Sequence, residues 1–447
     1  MNKKMLKWFF PGLATFMFLS LLIALLQDYV PDTAQIFFST TTGTLSYCIM
    51  LTLVLISVRP KALEKKLGLT EMYEIHAWMA MALPVTLFVH VWIRWSGLER
   101  VMTLNISNTS LLGYIGLISL FLVMITGIFV LSDTIIKKSD KLMDMKQNVY
   151  KRNRHLWVHR LAIVSIIAIH FHVYNVIYLR NNVPFRFLTT LYTVIALGWY
   201  VIYKIKIARL PKYEIIEINM PTPDIREIVM KPVNGNRMDY KAGQYGFFRF
   251  VDSKVTSEAH PFSFSSAPSA EKETLTVMIK EDGDFTSSLD LVDEGDKVTI
   301  EGPYGNFYPD DIAENEDRAM LLLSGGIGVT PNLSVLREEM AKNSDRRIAF
   351  VWGLAYEADT MYLDEMKKLA DDFPNFTYHF IYSEEEVDGF PHGFVDDEFI
   401  AEEGLEDFYD NASWHVCGPG PMLEASKKLL DEKNVTKEQA YIEEFAF

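Results

Sequence analysis

Six apolar segments, each about the length needed to cross a membrane, occupy the first half of this 447-residue chain. A helix needs about 20 apolar residues to cross the hydrocarbon core of a bilayer. Three lysines precede the first segment, as in a signal peptide, but its long apolar run and the lack of a small-x-small site before Gln27 favour a retained helix. The sequence therefore predicts six transmembrane helices, at about 8–26, 36–58, 72–93, 111–131, 156–178 and 187–203.

Charge is divided unequally between the two halves. Residues 1–212 hold 23 Lys and Arg against 9 Asp and Glu, a net charge of +14, whereas residues 213–447 hold 20 against 49, a net charge of −29. This division predicts a membrane domain followed by a soluble domain that can dock on its cytosolic loops. Two unrelated charge balances are the alternative.

Basic residues alternate between the loops that join the apolar segments. The N-terminus, the 59–66 turn, the 132–155 loop and the 204–212 exit carry three, four, seven and four, whereas the other loops carry none or two. By the positive-inside rule, both termini are cytosolic and the protein is a multi-pass protein of the cell membrane. The acidic half then has access to cytosolic nucleotides.

Four histidines lie at two matched depths, His76 and His90 on the third segment and His159 and His172 on the fifth. Spacings of 14 and 13 residues correspond to roughly 20 Å along a helix. Histidine pairs across two helices are typical ligands of low-spin b-type haems. The sequence thus predicts two haems, an inner one on His76 and His159 and an outer one on His90 and His172. With two cysteines and no C-x-x-C-H motif, the haems would not be covalently attached.

The fifth segment leaves one choice open. Thirteen positions turn a regular helix about 140° away from its starting face, so helical phase favours His170 over His172. Depth favours His172, which then requires a bulge, a kink or a side-chain swing. Arg94, Arg180 and Arg186, at the outer rim, either pair with haem propionates or an anionic acceptor, or extend to lipid head groups.

Residues 213–312 contain short runs of alternating polarity, which predict the strands of a small antiparallel β-barrel. From about residue 318 the pattern becomes strand, helix, strand, which predicts an α/β nucleotide-binding domain. The first strand of this domain ends in the glycine-rich segment 324–331. There the backbone can approach a pyrophosphate, and Pro331 suits the first position of a helix.

Six motifs follow one another in the second half of the chain. They are His260-Pro-Phe-Ser-Phe-Ser-Ser266, Gly283-Asp-Phe-Thr-Ser287, Glu301-Gly-Pro-Tyr-Gly305, Gly325-Gly-Ile-Gly-Val-Thr-Pro331, Cys417-Gly-Pro-Gly-Pro-Met422 and Glu444-Phe-Ala-Phe447. This ordered set resembles ferredoxin-reductase-type flavoproteins. Together with the paired histidines, the chain resembles the NADPH oxidases of the ferric-reductase superfamily in their short bacterial form. The resemblance implies a haem-binding membrane domain over 1–212, an FAD-binding barrel over 213–312 and an NAD(P)H-binding domain over 313–447.

The resemblance also implies roles for individual residues. Ser263 would hydrogen-bond near the reactive nitrogen of the flavin, Cys417 would lie near the nicotinamide, and Phe447 would cover the flavin and move for hydride transfer. Further cofactor contacts would come from the flavin-binding residues His260, Pro261, Phe262 and Ser266, the FAD-phosphate residues Thr286 and Ser287, the nucleotide-pyrophosphate residues Gly325, Gly326, Gly328 and Thr330, and Gly418 beside the nicotinamide.

One segment departs from the family pattern. NADPH-selective relatives commonly carry Arg after the Ser of the third α/β strand, whereas this chain has Ser383 followed by three glutamates, 384–386. Carboxylates repel a 2′-phosphate and can accept from ribose hydroxyls. The segment therefore predicts NADH use or a relaxed preference.

The function expected from the sequence is electron transfer from cytosolic NAD(P)H through FAD and two haems to external dioxygen, which yields superoxide. A ferric or other metal-chelate reductase of the same architecture is one alternative. A haem-free transporter with a nucleotide-sensing domain and a reductase merely anchored by its helices are two more. Neither nucleic acid nor an obligatory protein partner is expected.

Overall fold

The structure is a computed structural model that describes residues 3–28, 34–96, 108–131, 152–176, 179–256, 258–315 and 317–444. The chain divides into two compact units, Met1–Ala208 and Arg209–Phe447. The first unit is helical in its described part. Its helices are α1 (Lys3–Leu6), α2 (Phe9–Asp28), α3 (Ala34–Ser57), α4 (Lys61–Leu67), α5 (Leu69–Ser96), α6 (Asn108–Leu131), α7 (Arg152–His159), α8 (Leu161–Asn175) and α9 (Val183–Ala208).

Most of the expected apolar segments form helices long enough to cross a membrane. Among the described residues, five stretches qualify by length and composition: Phe9–Gln27, Ala34–Ser57, Leu69–Arg94, Leu156–Asn175 and Val183–Ala208. The remaining expected segment, 111–131, lies on α6, whose described apolar stretch is the shorter Leu111–Gly127. Large apolar side chains such as Trp78, Phe88 and Val194 are more than 60% exposed on these helices. Such faces are typical of helices that contact lipid.

Two pairs of neighbouring helices make the most extensive contacts of the first unit, α3 with α5 and α6 with α8. Helices α5 and α8, which carry three of the four predicted haem ligands, thus each pack against a supporting helix. The fifth expected segment is interrupted, because α7 ends at His159 and α8 begins at Leu161. At this break the amide of Ile163 donates to the carbonyl of Arg160, three residues back. A tighter turn of this kind changes the angular phase of the residues that follow it.

The second unit begins with an antiparallel sheet of six strands in the order β4-β3-β6-β1-β2-β5. The end strands come together where Phe264 bridges Val277 and the Ser265 amide donates to the Thr276 carbonyl. Aromatic and aliphatic side chains such as Phe248, Phe250 and Val298 fill its core. The strands are β1 (Lys212–Thr222), β2 (Ile225–Pro232), β3 (Tyr245–Val251), β4 (Ala259–Ser263), β5 (Leu275–Lys280) and β6 (Lys297–Tyr304).

A parallel sheet of five strands follows, in the order β11-β10-β7-β8-β9. Successive residues of β7 face opposite sides, so that Leu322 packs in one core and Leu321 and Leu323 in another. Both faces of the sheet are therefore buried, as in other parallel sheets. Its strands are β7 (Met320–Gly325), β8 (Ile348–Leu354), β9 (Phe376–Tyr382), β10 (Ser413–Cys417) and β11 (Ala440–Glu443).

The α-helices of the second unit are α10 (Asp284–Ser287), α11 (Asp310–Ala313), α12 (Val329–Ala341), α13 (Leu363–Asp372), α14 (Asp397–Glu402), α15 (Phe408–Asn411) and α16 (Gly420–Glu432). The position expected for Pro331 was wrong by two residues. Helix α12 begins at Val329, after a short 3₁₀ turn, Gly326–Gly328, so Pro331 is its third residue. Proline is still accommodated there, because the first amides of a helix have no partner within the helix.

Candidate functional site

The inner pair of histidines meets between α5 and α7. The ring centroids of His76 and His159 are 6.4 Å apart, with their planes inclined by 47°. This spacing leaves room for one metal atom between the two imidazoles, since each nitrogen–metal bond is about 2 Å long. His159 also hydrogen-bonds to the backbone of Val123 on α6. The donor set therefore fits a metal that takes two imidazole ligands.

The outer pair lies between α5 and α8, where His90 and His172 are within electrostatic range of each other. The Nδ1 of His90 lies 2.8 Å from the Ser39 carbonyl oxygen and donates to it. This bond leaves Nε2 as the ring nitrogen that can bind a metal. His90 thus presents Nε2 as a candidate metal ligand, with the His172 imidazole nearby on α8.

His170 is directed elsewhere, although helical phase alone favours it as a ligand. Its Nδ1 lies 3.4 Å from the Tyr47 hydroxyl on α3 and 3.3 Å from the Thr193 hydroxyl on α9. Tyr47 and Thr193 also hydrogen-bond to each other at 2.7 Å. The interruption of the helix at Arg160 supplies the irregularity that a His159 and His172 assignment requires.

Of the three outer arginines, Arg186 makes the most contacts within the described part of the chain. Its guanidinium lies over the Tyr174 ring at 4.1 Å and donates to the Arg180 carbonyl. Tyr174 in turn contacts His170, with ring centroids 5.0 Å apart. The side chains of Arg94 and Arg180 are exposed.

The predicted flavin strand is β4, an end strand of the antiparallel sheet. Pro261 is tolerated there because an end strand does not need every backbone amide for pairing. The Ser263 hydroxyl is buried and makes no hydrogen bond to any described atom of the protein. Buried hydroxyls almost always have a hydrogen-bond partner, so this one calls for a partner from outside the protein, such as water or a ligand. The strand therefore fits a cofactor that hydrogen-bonds to Ser263.

The other residues predicted to bind FAD lie near this strand, and several of them make contacts within the protein. The His260 ring stacks on Phe285 at 3.6 Å, which ties β4 to the 283–287 turn. Thr286 closes that turn, since its hydroxyl accepts from the Asp282 amide and donates to the Gly283 carbonyl. The Ser266 hydroxyl is occupied inside the sheet by the Tyr240 hydroxyl and the Thr276 amide. Phe262 packs against the same core, and Ser287 lies at the end of α10.

The predicted nucleotide turn lies where the order of strands in the parallel sheet reverses. Strands β7, β8 and β9 run outward in order, and β10 then returns to the other side of β7. Ligands of such sheets bind outside the carboxyl ends of the strands at this switch point. Gly325 is the last residue of β7 and residues 326–328 follow it, while Gly418 follows β10. The sheet therefore brings the two predicted glycine-containing motifs together.

Glycines at this position permit a very close approach of the two loops. A Cβ on Gly328 would stand 2.4 Å from the Cys417 carbonyl oxygen, and one on Gly325 would stand 2.3 Å from the Met422 sulfur. Gly326 has a φ of +50°, in the left-handed region. The result is a closely packed turn at the start of α12, half-buried at Gly326 and Ile327, where helix amides favour an anion.

Several supporting residues here were not predicted from the sequence. The Asn332 amide donates to the Leu323 carbonyl and the Ser324 hydroxyl, and the Trp352 indole donates to the Gly326 carbonyl at 3.0 Å. Residues of this kind also occur at ordinary core positions, so the sequence did not distinguish these two as supports of the nucleotide turn. Thr330, which was predicted, is buried and donates to the Ile327 carbonyl.

Cys417 ends β10 beside the nucleotide turn. Burial raises the pKa of its thiol, and the carboxylate of Glu443, opposite it on β11, adds to the effect. The group is therefore a neutral thiol rather than a nucleophilic thiolate. It can shape the site and donate a weak hydrogen bond. Phe447, predicted to cover the flavin, lies outside the described residues.

Helix α12 joins the nucleotide turn to the segment that follows β4. Its Ser334 hydroxyl donates to the Ser266 carbonyl, and its Arg337 donates to the Ser265 carbonyl. The Glu338 carboxylate accepts from both the amide and the hydroxyl of Ser269. These contacts fix the flavin strand relative to the nucleotide turn.

The acidic turn after β9 is held to the loop after β8. The Ser383 and Glu384 amides donate to the Leu354 and Ala355 carbonyls, and Glu385 accepts from the Glu357 amide at 2.9 Å. All three glutamates of the turn are exposed, so their carboxylates can meet a ligand from solvent. Beside the turn is a cavity of about 410 Å³ lined by Glu357, Thr360, Tyr362, Leu363, Asp364, Tyr382 and Phe390.

Comparison with known proteins identifies both halves of this second unit. Residues 203–307 match the family described as FAD-binding domain, and residues 322–428 match the family described as oxidoreductase NAD-binding domain. The predicted FAD-binding and nucleotide-binding domains of the ferredoxin-reductase type are thereby confirmed.

Curated relatives match the same region. The reductase component of propane 2-monooxygenase from Mycolicibacterium goodii is 29% identical over 52% of this chain and 66% of its own. The protein of the same name from Rhodococcus jostii is 28% identical over 52% of this chain and 62% of its own. A flavohemoprotein from Rhizobium meliloti is 27% identical over 52% of this chain and 60% of its own. The chain spans less than two thirds of the length of each of these relatives.

Proposed function

We propose that this protein is an NAD(P)H oxidase that moves electrons across the cell membrane, from cytosolic NAD(P)H through FAD and two b-type haems to external dioxygen, with superoxide as the product. The observation that carries the proposal is the pairing of His76 with His159 and of His90 with His172 on apolar helices. The same chain holds an FAD-binding and an NAD-binding domain. Electrons that enter the flavin therefore have a candidate route into the membrane.

The soluble unit would bind both redox partners at one cleft. The turn 325–328 and the start of α12 would hold the dinucleotide pyrophosphate, and Gly418 would leave room for the nicotinamide. Ser263 would hydrogen-bond to the flavin ring, while Thr286 and Ser287 would lie near the FAD phosphates. Cys417 and Phe447 would define the space in which the nicotinamide meets the flavin. When bound, FAD converts a two-electron hydride donor into a source of single electrons.

The membrane unit would hold one haem on each histidine pair, and bound haem supplies a one-electron carrier in each half of the bilayer. The distribution of Lys and Arg supports cytosolic termini, and with them a position of the His76 pair on the cytosolic side. The exposed apolar faces of the helices support insertion in lipid. In this arrangement the outer pair faces the acceptor.

NADH is the donor that the acidic turn favours. Glu384 would meet the 2′ position of the adenosine ribose, where a carboxylate accepts from a hydroxyl and repels a phosphate. The adjacent cavity supports this assignment, because Tyr382 and Phe390 offer aromatic surface for a purine and Glu357 and Asp364 add negative charge.

The decisive experiment combines a haem spectrum with an acceptor assay on the purified full-length protein. We expect a six-coordinate b-type spectrum with two haems per chain, and NADH-driven reduction of cytochrome c that superoxide dismutase abolishes. A folded but haem-free protein would contradict the proposal and favour a transporter or an anchored reductase. Rapid reduction of ferric chelates without oxygen, insensitive to the dismutase, would establish a metalloreductase instead.

A further inference from the structure

The imidazoles of the outer pair each rest on a glycine of the neighbouring helix. A Cβ placed on Gly43 of α3 would stand 2.7 Å from Nδ1 of His90. A Cβ placed on Gly113 of α6 would stand 3.0 Å from Nδ1 of His172. The distance at Gly43 is shorter than real Cβ contacts, and the distance at Gly113 is tighter than most of them, so a larger residue would displace the His90 ring and push the His172 ring by a few tenths of an ångström. In both cases the atom nearest the glycine is Nδ1.

The hydrogen bond of His90 explains why a glycine is needed there. Nδ1 of His90 donates to the carbonyl of Ser39, which lies four residues before Gly43 on the same helix. Every Cα–Cβ bond of a helix tilts toward the N-terminus, so the side chain at one position covers the backbone one turn earlier. Because position 43 has no Cβ, the Ser39 carbonyl can accept from Nδ1 of His90 as well as from a backbone amide of its own helix.

The inner pair shows the same spacing in a looser form. His159 hydrogen-bonds to the backbone of Val123, four residues before Gly127 on α6. A Cβ on Gly127 would stand 3.9 Å from Cε1 of His159, an ordinary van der Waals contact. The requirement for glycine is therefore strict at the outer pair and relaxed at this inner position.

We propose that Gly43 and Gly113 are positioning residues for the outer metal ligands, an inference that rests on the proposed haem function. Each glycine lets an imidazole lie against a helix backbone with Nδ1 directed at it, which leaves Nε2 for iron. A histidine whose second nitrogen donates to a carbonyl is a more basic ligand with a fixed orientation. A more basic ligand stabilises the oxidised iron, so Gly43, which leaves the Ser39 carbonyl open to His90, helps keep the potential of the outer haem low.

The test is a set of glycine-to-alanine variants of the full-length protein. We expect Gly43→Ala and Gly113→Ala to weaken outer-haem binding about 10- to 100-fold, the usual effect of losing such a support. Haem that remains at the outer site of Gly43→Ala should show an upward shift of its midpoint potential. Gly127→Ala should leave both haems and both potentials as in the wild type.

Two further variants separate positioning from helix packing. A Cβ on Gly116 of α6 would crowd Ile169 at 2.6 Å but touches no histidine, and one on Gly198 of α9 would meet no described atom within 4 Å. We expect Gly116→Ala and Gly198→Ala to retain both haems with unchanged potentials. FAD content reports folding of the soluble unit in every variant, and Gly113→Ala decides the matter if Gly43→Ala yields no folded protein.

Each failure has a distinct signature. Unchanged haem content and potentials in Gly43→Ala and Gly113→Ala would overturn this inference and leave the proposed function intact. Equal haem loss in Gly116→Ala and Gly113→Ala would overturn it as well, because packing alone would then be responsible. A wild-type protein without haem would instead contradict the proposed function.

Discussion

Ser263 and Ser266 lie three residues apart, yet their hydroxyls have opposite surroundings. The Ser263 hydroxyl has no protein partner in the described chain, whereas the Ser266 hydroxyl bonds to Tyr240 and to the Thr276 amide. We expect Ser263→Ala to leave thermal stability unchanged or higher while slowing flavin reduction by NADH. Ser266→Ala should lose about 1–3 kcal/mol, because it leaves buried partners unsatisfied. Stopped-flow reduction and thermal unfolding measure the two effects, and equal destabilisation would contradict the assignment.

The proposed donor preference can also be tested at a single residue. We expect Glu384→Arg to lower KM for NADPH and raise KM for NADH, because it reverses the charge that we propose lies beside the 2′ position. A change of about tenfold in the ratio corresponds to about 1.4 kcal/mol, reasonable for one partly screened charge pair. Glu402→Arg, at an exposed position on α14, is the control for net charge. If both variants change the ratio equally, Glu384 does not read the nucleotide.

His415 gives the soluble unit a dependence on pH. Burial lowers its pKa to about 3, and its Nδ1 donates to the Phe307 carbonyl. The unfolded chain, with a pKa of about 6.5 for histidine, binds the proton more tightly, so the stability present above that pH is lost as pH falls toward 3. From pH 7 to pH 5 this group should remove about 2 kcal/mol. Thermal unfolding of His415→Gln should show a smaller pH effect, whereas exposed His392→Gln should match the wild type.

At the level of elements, sequence patterns predicted strands better than helix interruptions. The alternating runs at 213–218, 245–250 and 275–279 fall within β1, β3 and β5, because period-two polarity matches a half-buried strand. The break between α7 and α8 was expected only as a requirement of the His172 assignment. Arg160 is neither proline nor glycine, so no helix-breaking residue marks the position of the break. The hydrogen bonds of Trp352 and Asn332 could not be predicted either, because they join residues that only the folded chain brings together.

The break between α7 and α8 leads to a prediction about His170 and His172, the two candidate ligands that follow it. His172→Ala should remove one haem, whereas His170→Ala should keep both and lower stability by about 1 kcal/mol through its lost hydrogen bonds to Tyr47 and Thr193. Haem quantification and thermal unfolding of the two variants check this. Haem loss in His170→Ala with retention in His172→Ala would reverse the assignment of the outer ligand.

For the whole molecule, the proposed route has an electrical consequence that the haem-free alternatives lack. An electron that crosses the bilayer without a counter-ion builds a potential that opposes the next one, and each elementary charge costs about 2.3 kcal/mol per 100 mV. We expect NADH oxidation in sealed proteoliposomes to slow after the first turnovers and to accelerate when valinomycin and potassium collapse the potential. Detergent-solubilised protein should be insensitive to valinomycin, which controls for direct effects of the ionophore. A reductase merely anchored by its helices would move no charge across the bilayer, so equal rates with and without valinomycin in sealed vesicles would exclude transmembrane electron transfer.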